Sequence, residues 1–292
     1  MTSFALAAHL IPLAALAAAT AEGVVITLRG QSYDWRAYLC SSAIALGRRM
    51  ARALASLVPL SAWTPLLDLV SRHRLFDIPL HHAWSLALLV LAEEFCYYGS
   101  HRASHSIRWL WATHVVHHSP SDLNLAVAYR LGWTAEISGT PLFFLPLVWL
   151  GFPVRALLTV LAVNLLYQFA LHARWIPKLG PVEWLLNTPS HHRVHHACNP
   201  EYLGRAGLGA NYGGMLIVFD RLFGTLRPER ENIDCRYGLA RPLTSSNPVY
   251  VALHGWLAIA HDLAAARSWR DRLACILGRP VPSSGAGHAS EA

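Results

Sequence analysis

ISGTPLFFLPLVWLGFPVRALLTVLAVNLLYQFALHA, residues Ile137–Ala173, is the stretch that decides the fold. Across its 37 positions the only Asp, Glu, Lys or Arg is Arg155, beside the break Gly151-Phe152-Pro153. Two helices of about 14 to 20 residues with a Gly/Pro turn between them predict a membrane hairpin, because a bilayer core of about 30 Å takes about 20 apolar residues. A buried helical pair in a soluble protein is the competing reading, and the composition of the whole chain opposes it.

Further apolar runs lie towards the N-terminus. Ile78–Ala92 is uncharged, and Ala37–Leu67 is apolar apart from Arg48, Arg49, Arg52 and a few neighbours. Those arginines are expected to snorkel to the interface. Phe4–Ala21 lacks Asp, Glu, Lys and Arg, and apolar residues continue beyond Glu22 to about Leu28. Without a basic n-region it reads as an uncleaved membrane helix rather than a signal peptide. Towards the C-terminus the character changes. Arg174–Arg241 is rich in His, Arg, Gly, Asn and Pro, which suits a polar cap, and His254–Leu277 reads as one amphipathic helix with Arg267, Arg270 and Arg272 on its polar side. The expected fold is an all-α integral membrane bundle of about four to five membrane helices with a histidine-rich cytosolic cap. The expected organisation is an N-terminal membrane helix over 1–30, a catalytic domain over 31–241, an amphipathic helix within 242–278 and a disordered tail over 279–292.

Composition agrees. The chain of 292 residues is 54% hydrophobic and 14% charged, against about 25% charged in ordinary soluble domains, which excludes disorder and collagen-like fibres. The net charge of +7 is scattered between apolar runs, so an anionic membrane face suits it better than nucleic acid. Five widely spaced cysteines (Cys40, Cys96, Cys198, Cys235, Cys275) contain no CxxC pair and make no disulfide framework.

Seventeen histidines match the combined count of Asp and Glu, and ten of them fall between His101 and His196. His101 and His105 are four apart, so a helix puts them on one face. His114-x-x-His117-His118 and His192-x-x-His195-His196 repeat one pattern, in which the adjacent pair splays by about 100° on a helix. One member of each pair can turn to a first metal and the other to a second, so a dinuclear centre is expected rather than a histidine-rich surface tract. His172, one turn after Gln168, brings a further imidazole. Imidazole alone does not choose among Fe, Zn, Cu and Ni. Glu93, Glu94, Asp122, Glu136 and Asp220 are candidates for carboxylates that hold the imidazoles in orientation. For Glu93 and Glu94 the alternative is a salt bridge to Arg102 or Arg108.

These residues carry a resemblance. EEFCYYGSHRASHSIRWLWATHVVHHSPSDLNLAVAYR (residues 93–130), NLLYQFALH (164–172) and LGPVEWLLNTPSHHRVHHACNPEYLGRAGLGANYGGMLIVFDRLFGT (179–225) resemble the fatty acid hydroxylase/sterol desaturase superfamily, most closely its alkylglycerol monooxygenase-like branch. The resemblance runs from about Tyr33 to Arg227. It implies an integral-membrane enzyme with a non-haem di-iron centre on the cytoplasmic side, which uses O2 to hydroxylate, or alternatively desaturate, a lipid-like substrate. Carried over by position, one metal takes His101, His114, His117, His192 and His195, and the other takes His105, His118, His172 and His196. Hydroxylase relatives have another histidine where this chain has Gln168, so Gln168 or water is expected to complete the second metal. His191, Glu93, Glu94, Asp220 and Gln168 are expected behind the ligands, and Asn124, Arg130, Asn187, Asn211 and Tyr212 at the substrate or cap. Leu131-Gly132 after Arg130, and the insert Gly204–Gly209, depart from the family pattern and are expected to reshape the substrate mouth.

The implied cofactors are two Fe ions, with Zn a substitute in purified protein. The chain has no haem motif, four-cysteine iron–sulfur set or GxGxxG, so electrons are expected from outside, through a dissociable pterin or an electron-transfer protein. A membrane zinc hydrolase is a second reading, opposed by the lack of HExxH. A metal transporter is a third, and it needs polar residues threaded through several spans. Arg102, Arg108, Arg174, Lys178, Arg193 and Arg205 flank the histidines, which argues for a cytoplasmic site.

Overall fold

The computed structural model describes residues 3–57, 63–204 and 207–280. Arg205 and the tail 281–292, all but the first two residues of the stretch expected to be disordered, lie outside the described residues. Among the described residues the chain is all-α, with no strand. Two isolated bridges, Leu186 with Leu216 and Ala197 with Tyr237, tie loops together.

Helix α1 (Ser3–Leu28) and α2 (Trp35–Leu57) are followed by α3 (Trp63–Arg72), α4 (Ala83–Ser106) and α5 (Arg108–His118). Then come the short α6 (Leu125–Ala128), α7 (Leu145–Leu150), α8 (Val154–Leu171), α9 (Pro189–His196), α10 (Val218–Leu222), α11 (Pro248–Ala265) and α12 (Trp269–Leu277). Leu89 of α4, Leu147 and Val148 of α7, Phe152, and Leu157 and Val160 of α8 form one buried cluster. Cys40 and Ile44 of α2, Val116 of α5 and Val251 of α11 form another, so α5 is wedged between α2, α4 and α11. The approach of α11 to α5 is close enough that a Cβ on Gly255 would sit 2.7 Å from the Ala112 carbonyl oxygen.

Two helices are long and apolar enough to cross a membrane, Leu10–Leu28 and Val154–Leu171. At 1.5 Å per residue they reach about 28 and 27 Å, close to the bilayer core thickness. Most of each faces outward: 17% of the first and 28% of the second is buried. Both thus offer apolar side chains to whatever surrounds the protein. The lone acid of α1, Glu22, turns inward and accepts hydrogen bonds from the Leu125 amide at 2.7 Å and the Trp175 indole at 3.0 Å. This contact ties α1 to the body of the protein.

The structure narrows two expectations. Four to five spans reduce to two candidates among the described residues. The first arm of the 137–173 hairpin is only a 3-10 turn (Thr140–Phe144) running into the six-residue α7. Pro141 and Pro146 open those short elements, where a missing N–H costs least. Eleven residues rise only about 16–20 Å, which is too short to span. The second arm is the predicted helix, α8, and the turn is where the sequence puts it. Gly151 has φ +114°, and a Cβ there would lie 1.9 Å from the Phe76 carbonyl oxygen, so only glycine fits. The single helix expected over 254–277 is two helices, because Ser268 starts α12 with a capping box closed by Asp271.

Candidate metal centre

Three helices and one helix end deliver nine histidines to one place. The α4 pair His101 and His105 comes first, then His114, His117 and His118 of α5, His172 as the C-cap of α8, and His192, His195 and His196 of α9. Eight of the nine are buried and His114 is half-buried. They form two groups in each of which one ligand atom per residue lies within 4.8 Å of all the others. The first holds His101, His105, His114, His118 and His195, and the second holds His117, His172, His192 and His196. The groups adjoin, with the His118 and His196 rings stacked at 4.4 Å.

This grouping differs from the one carried over by position: His105 and His118 join the first group, while His117 and His192 join the second. Helix geometry gives the reason. Residues four apart diverge by about 40° and residues three apart by about 60° in the other sense. In each HxxHH the i,i+4 pair therefore works together, with Nε2 atoms 3.1 Å apart in both His114–His118 and His192–His196. The middle histidine turns to the other group.

Four rings are locked from behind by backbone carbonyls. His101 Nδ1 donates to Tyr212 O at 3.0 Å, His117 to Val127 O at 3.1 Å, His172 to Gln168 O at 2.8 Å and His195 to Ala210 O at 2.8 Å. A carbonyl only accepts, so in each neutral ring Nδ1 carries the hydrogen and Nε2 presents a lone pair. His117 and His172 consequently face each other, lone pair to lone pair, with Nε2 atoms 3.3 Å apart. Neither ring has a hydrogen to place between them, and a cation there removes the repulsion. The Nε2 atoms of His105 and His195 are buried without a hydrogen-bond partner. Burial and neighbouring imidazoles hold His114, His117, His118, His192, His195 and His196 well below the ordinary histidine value, which favours the neutral, ligating form. The donor set fits metal ions of the kind imidazole prefers.

The expected supporting residues act on this centre through the backbone. Asp220 accepts from the amides of Tyr212 and Gly213, both at 2.8 Å, and from Thr225 Oγ1 at 2.6 Å, fixing the loop whose Tyr212 carbonyl orients His101. Glu94 accepts from the Met215 and Leu216 amides, both at 2.9 Å. Glu93 and Glu94 share Asn164 Nδ2 and make no histidine contact and no salt bridge to Arg102 or Arg108. Gln168 has both polar ends engaged, accepting from Tyr97 OH at 2.7 Å and donating to Asn164 Oδ1 at 2.6 Å. Its side chain is therefore held as a brace behind the histidines, one of the two roles expected for it. Asp122 pairs with Arg174, and Glu136 with Arg52 and Arg48, so neither faces the histidines.

The residues expected at the substrate or cap each make hydrogen bonds within the fold. Asn124 N-caps α6. Buried Arg130 donates to Val116 O and Ser119 Oγ. Asn187 Nδ2 donates to the Gly213 and Gly214 carbonyls. Asn211, at φ +57°, donates to His191 O and Arg227 O. Tyr212 donates its hydroxyl to Gly209 O. His191 is buried beside Thr188 and belongs to neither group. Asn164 was given no role from sequence, and of the Ala210–Leu216 loop only Asn211 and Tyr212 were given one. The signal for Asn164 was present, as one of two amides, with Gln168, within an apolar helix.

A cavity of about 170 Å³ opens against the first group, touching His105, His118 and His195, and also His196.

Comparison with known proteins agrees with this geometry. Residues 86–225 match the family described as fatty acid hydroxylase. The chain is 36% identical over 210 residues to an alkylglycerol monooxygenase of Xenopus tropicalis, covering 72% of this chain and 45% of that protein. It is 40% identical over 187 residues to the Homo sapiens alkylglycerol monooxygenase, covering 64% and 40%. It is 29% identical over 182 residues to the ornithine lipid hydroxylase OlsE of Rhizobium tropici, covering 61% and 53%. The chain thus spans less than half the length of the alkylglycerol monooxygenases it matches. No solved structure matches. Residues 86–225, which contain all nine converging histidines, are a fatty acid hydroxylase domain.

Proposed function

We propose that this protein is a multi-pass membrane di-iron monooxygenase that hydroxylates a C–H bond of a lipid-like substrate, with its metal site on the cytoplasmic side. The observation that carries the reading is the pair of adjoining, carboxylate-free histidine groups whose Nε2 lone pairs converge. Its relatives' names, alkylglycerol monooxygenase and ornithine lipid hydroxylase, support a lipid substrate. His101, His105, His114, His118 and His195 would hold one iron, and His117, His172, His192 and His196 the other. Together the two ions would supply O2 reduction and C–H oxidation. One oxygen atom enters the C–H bond and the other leaves as water, consuming two electrons and two protons from outside the chain.

The chain's own residues do the rest. The Tyr212, Val127, Gln168 and Ala210 carbonyls hold four imidazoles in one tautomer. Asp220 and Glu94 fix the loop that supplies two of those carbonyls, from Ala210 and Tyr212. Close packing around the nine rings limits water. A dissociable pterin or an electron-transfer protein is the proposed reductant.

The test uses iron-reconstituted full-length protein with a reductant, a lipid extract and ¹⁸O2. The expected result is a lipid product that carries one labelled oxygen. A product that forms equally without O2, or takes its oxygen from water, contradicts the reading.

A further inference from the structure

Helix α12 carries a surface that the metal centre does not use. Trp269, Leu273 and Leu277 are 70%, 47% and 58% exposed, and at about 100° per residue they share one face. Arg270 and Arg272 lie at the two edges of that face, while Arg267 and Arg279 stand just beyond the two ends of the helix, all four exposed. The Arg270 guanidinium sits 5.6 Å from the centre of the Trp269 ring, so cation and ring are held together at one edge. None of these arginines makes an ion pair among the described residues. The one acid of the helix, Asp271, is occupied, accepting from Ser268 N–H and Oγ to close the capping box. Four unpaired cations thus border an apolar stripe that no described residue covers.

Size and charge select what covers it. Nine residues rise only about 14 Å on a helix about 10 Å wide, far less than the area of about 800 Å² that each partner gives to a specific protein interface. A second copy of this face would set arginine against arginine, which costs energy. A lipid surface needs no matched shape. Helices with Trp and Leu on one side and arginines beside them lie in the headgroup region, where lipid phosphates supply the counter-charge. The outward apolar faces of α1 and α8 offer the same chain to a bilayer. We infer that α12 lies on an anionic lipid surface, its Trp269–Leu273–Leu277 stripe at the acyl boundary and its flanking arginines on the lipid phosphates. The helix is also joined to the metal centre. Gly278 O accepts from the Arg108 amide at 2.9 Å, where α4 meets α5, and Pro280 lines the cavity that touches His105. Lipid contact at α12 therefore sets how that side of the centre sits against the membrane. The inference shares with the function proposed above only the membrane, and needs neither metal nor turnover.

The test places full-length protein in nanodiscs of phosphatidylcholine, with or without added phosphatidylglycerol, and reads amide hydrogen exchange across residues 269–277. Each basic residue near an anionic surface contributes about fivefold to the binding equilibrium. Exchange is therefore expected to be at least tenfold slower in the anionic discs. Molar salt, which screens charges beyond about 3 Å, should remove the difference. Arg267→Gln, Arg270→Gln and Arg272→Gln together should also remove it. All three side chains are exposed and glutamine keeps the helix propensity, so the variant is expected to fold. A second readout needs no charge variant: lipids with brominated acyl chains should quench Trp269 fluorescence in anionic discs, taken as wild type minus Trp269→Phe. A slowing of less than threefold, a difference that survives the three glutamines, or an unquenched Trp269 overturns the inference. Protection that grows with the number of protein copies per disc also overturns it, in favour of a second copy. Protein that is held in the discs with α12 unprotected contradicts this inference alone and leaves the membrane reading standing.

Discussion

At the scale of single residues, what distinguishes this centre is the direction in which each imidazole is held. A ring donating Nδ1–H to a fixed carbonyl cannot turn its lone pair away, so four backbone acceptors commit four ligands before any metal arrives. His172 sits at the end of α8 and belongs to the four-histidine group. His172→Ala is expected to leave the five-histidine group intact and lower bound iron from about two per chain to about one, with turnover lost. Retention of two irons and near-wild-type turnover would count against the assignment.

The same burial gives the metal-free protein a pH dependence. The α5 and α9 histidines have folded-state values held well below the ordinary imidazole value of about 6.5. Below that pH the unfolded chain therefore binds protons that the folded chain does not. The contribution of these rings to stability should be level above pH 6.5 and should fall as pH drops below it, by about 1.4 kcal/mol per pH unit for each ring still neutral in the fold. Thermal unfolding of metal-free protein between pH 5 and 8 measures this, and a flat profile would contradict it.

At the scale of elements, the two HxxHH helices share one logic: the i,i+4 pair serves one group and the middle histidine serves the other. The motifs, their helices and the convergence of nine histidines were legible in the sequence because a period of 3.6 ties spacing to direction. The division between the two groups was not, because it depends on how α5 and α9 are rotated against α4 and α8. The braces were also hidden. Glu93 and Glu94 were legible as acids too costly to leave unpaired in an apolar helix, but their partners come from over 70 and 120 residues away. The break at Ala266–Ser268 was written in the sequence as Ser-x-x-Asp, yet the longer apolar periodicity masks it.

Glu94 carries an element-scale prediction. Glu94→Ala strands the part-buried amides of Met215 and Leu216, at no more than about 1–3 kcal/mol for each unsatisfied donor. Thermal unfolding should fall accordingly, with Glu94→Gln, which keeps one acceptor oxygen, lying between. Equal stability of Glu94→Ala and wild type would show that the loop is held by other contacts.

At the scale of the whole molecule, low charge and abundant histidine have separate origins. Low charge follows from apolar outward faces, above all on α1 and α8, while histidine follows from one centre assembled where α4, α5, α8 and α9 meet. The overall helical class was legible from the apolar runs. The number of spans was not, because Pro141 and Pro146 break an apolar stretch that hydropathy alone reads as a continuous helix. Membrane pellets washed in alkaline carbonate should keep the full-length protein, since two outward apolar helices are not released by stripping charge contacts. Release into the wash would contradict membrane insertion.

The central claim is that nine histidines hold two neighbouring metal ions. Iron quantified per chain in reconstituted full-length protein, together with ⁵⁷Fe Mössbauer spectroscopy of the same sample, tests it most directly. The account predicts about two irons per chain with the spectrum of a magnetically coupled pair. One iron per chain, or two that show no coupling, would contradict it.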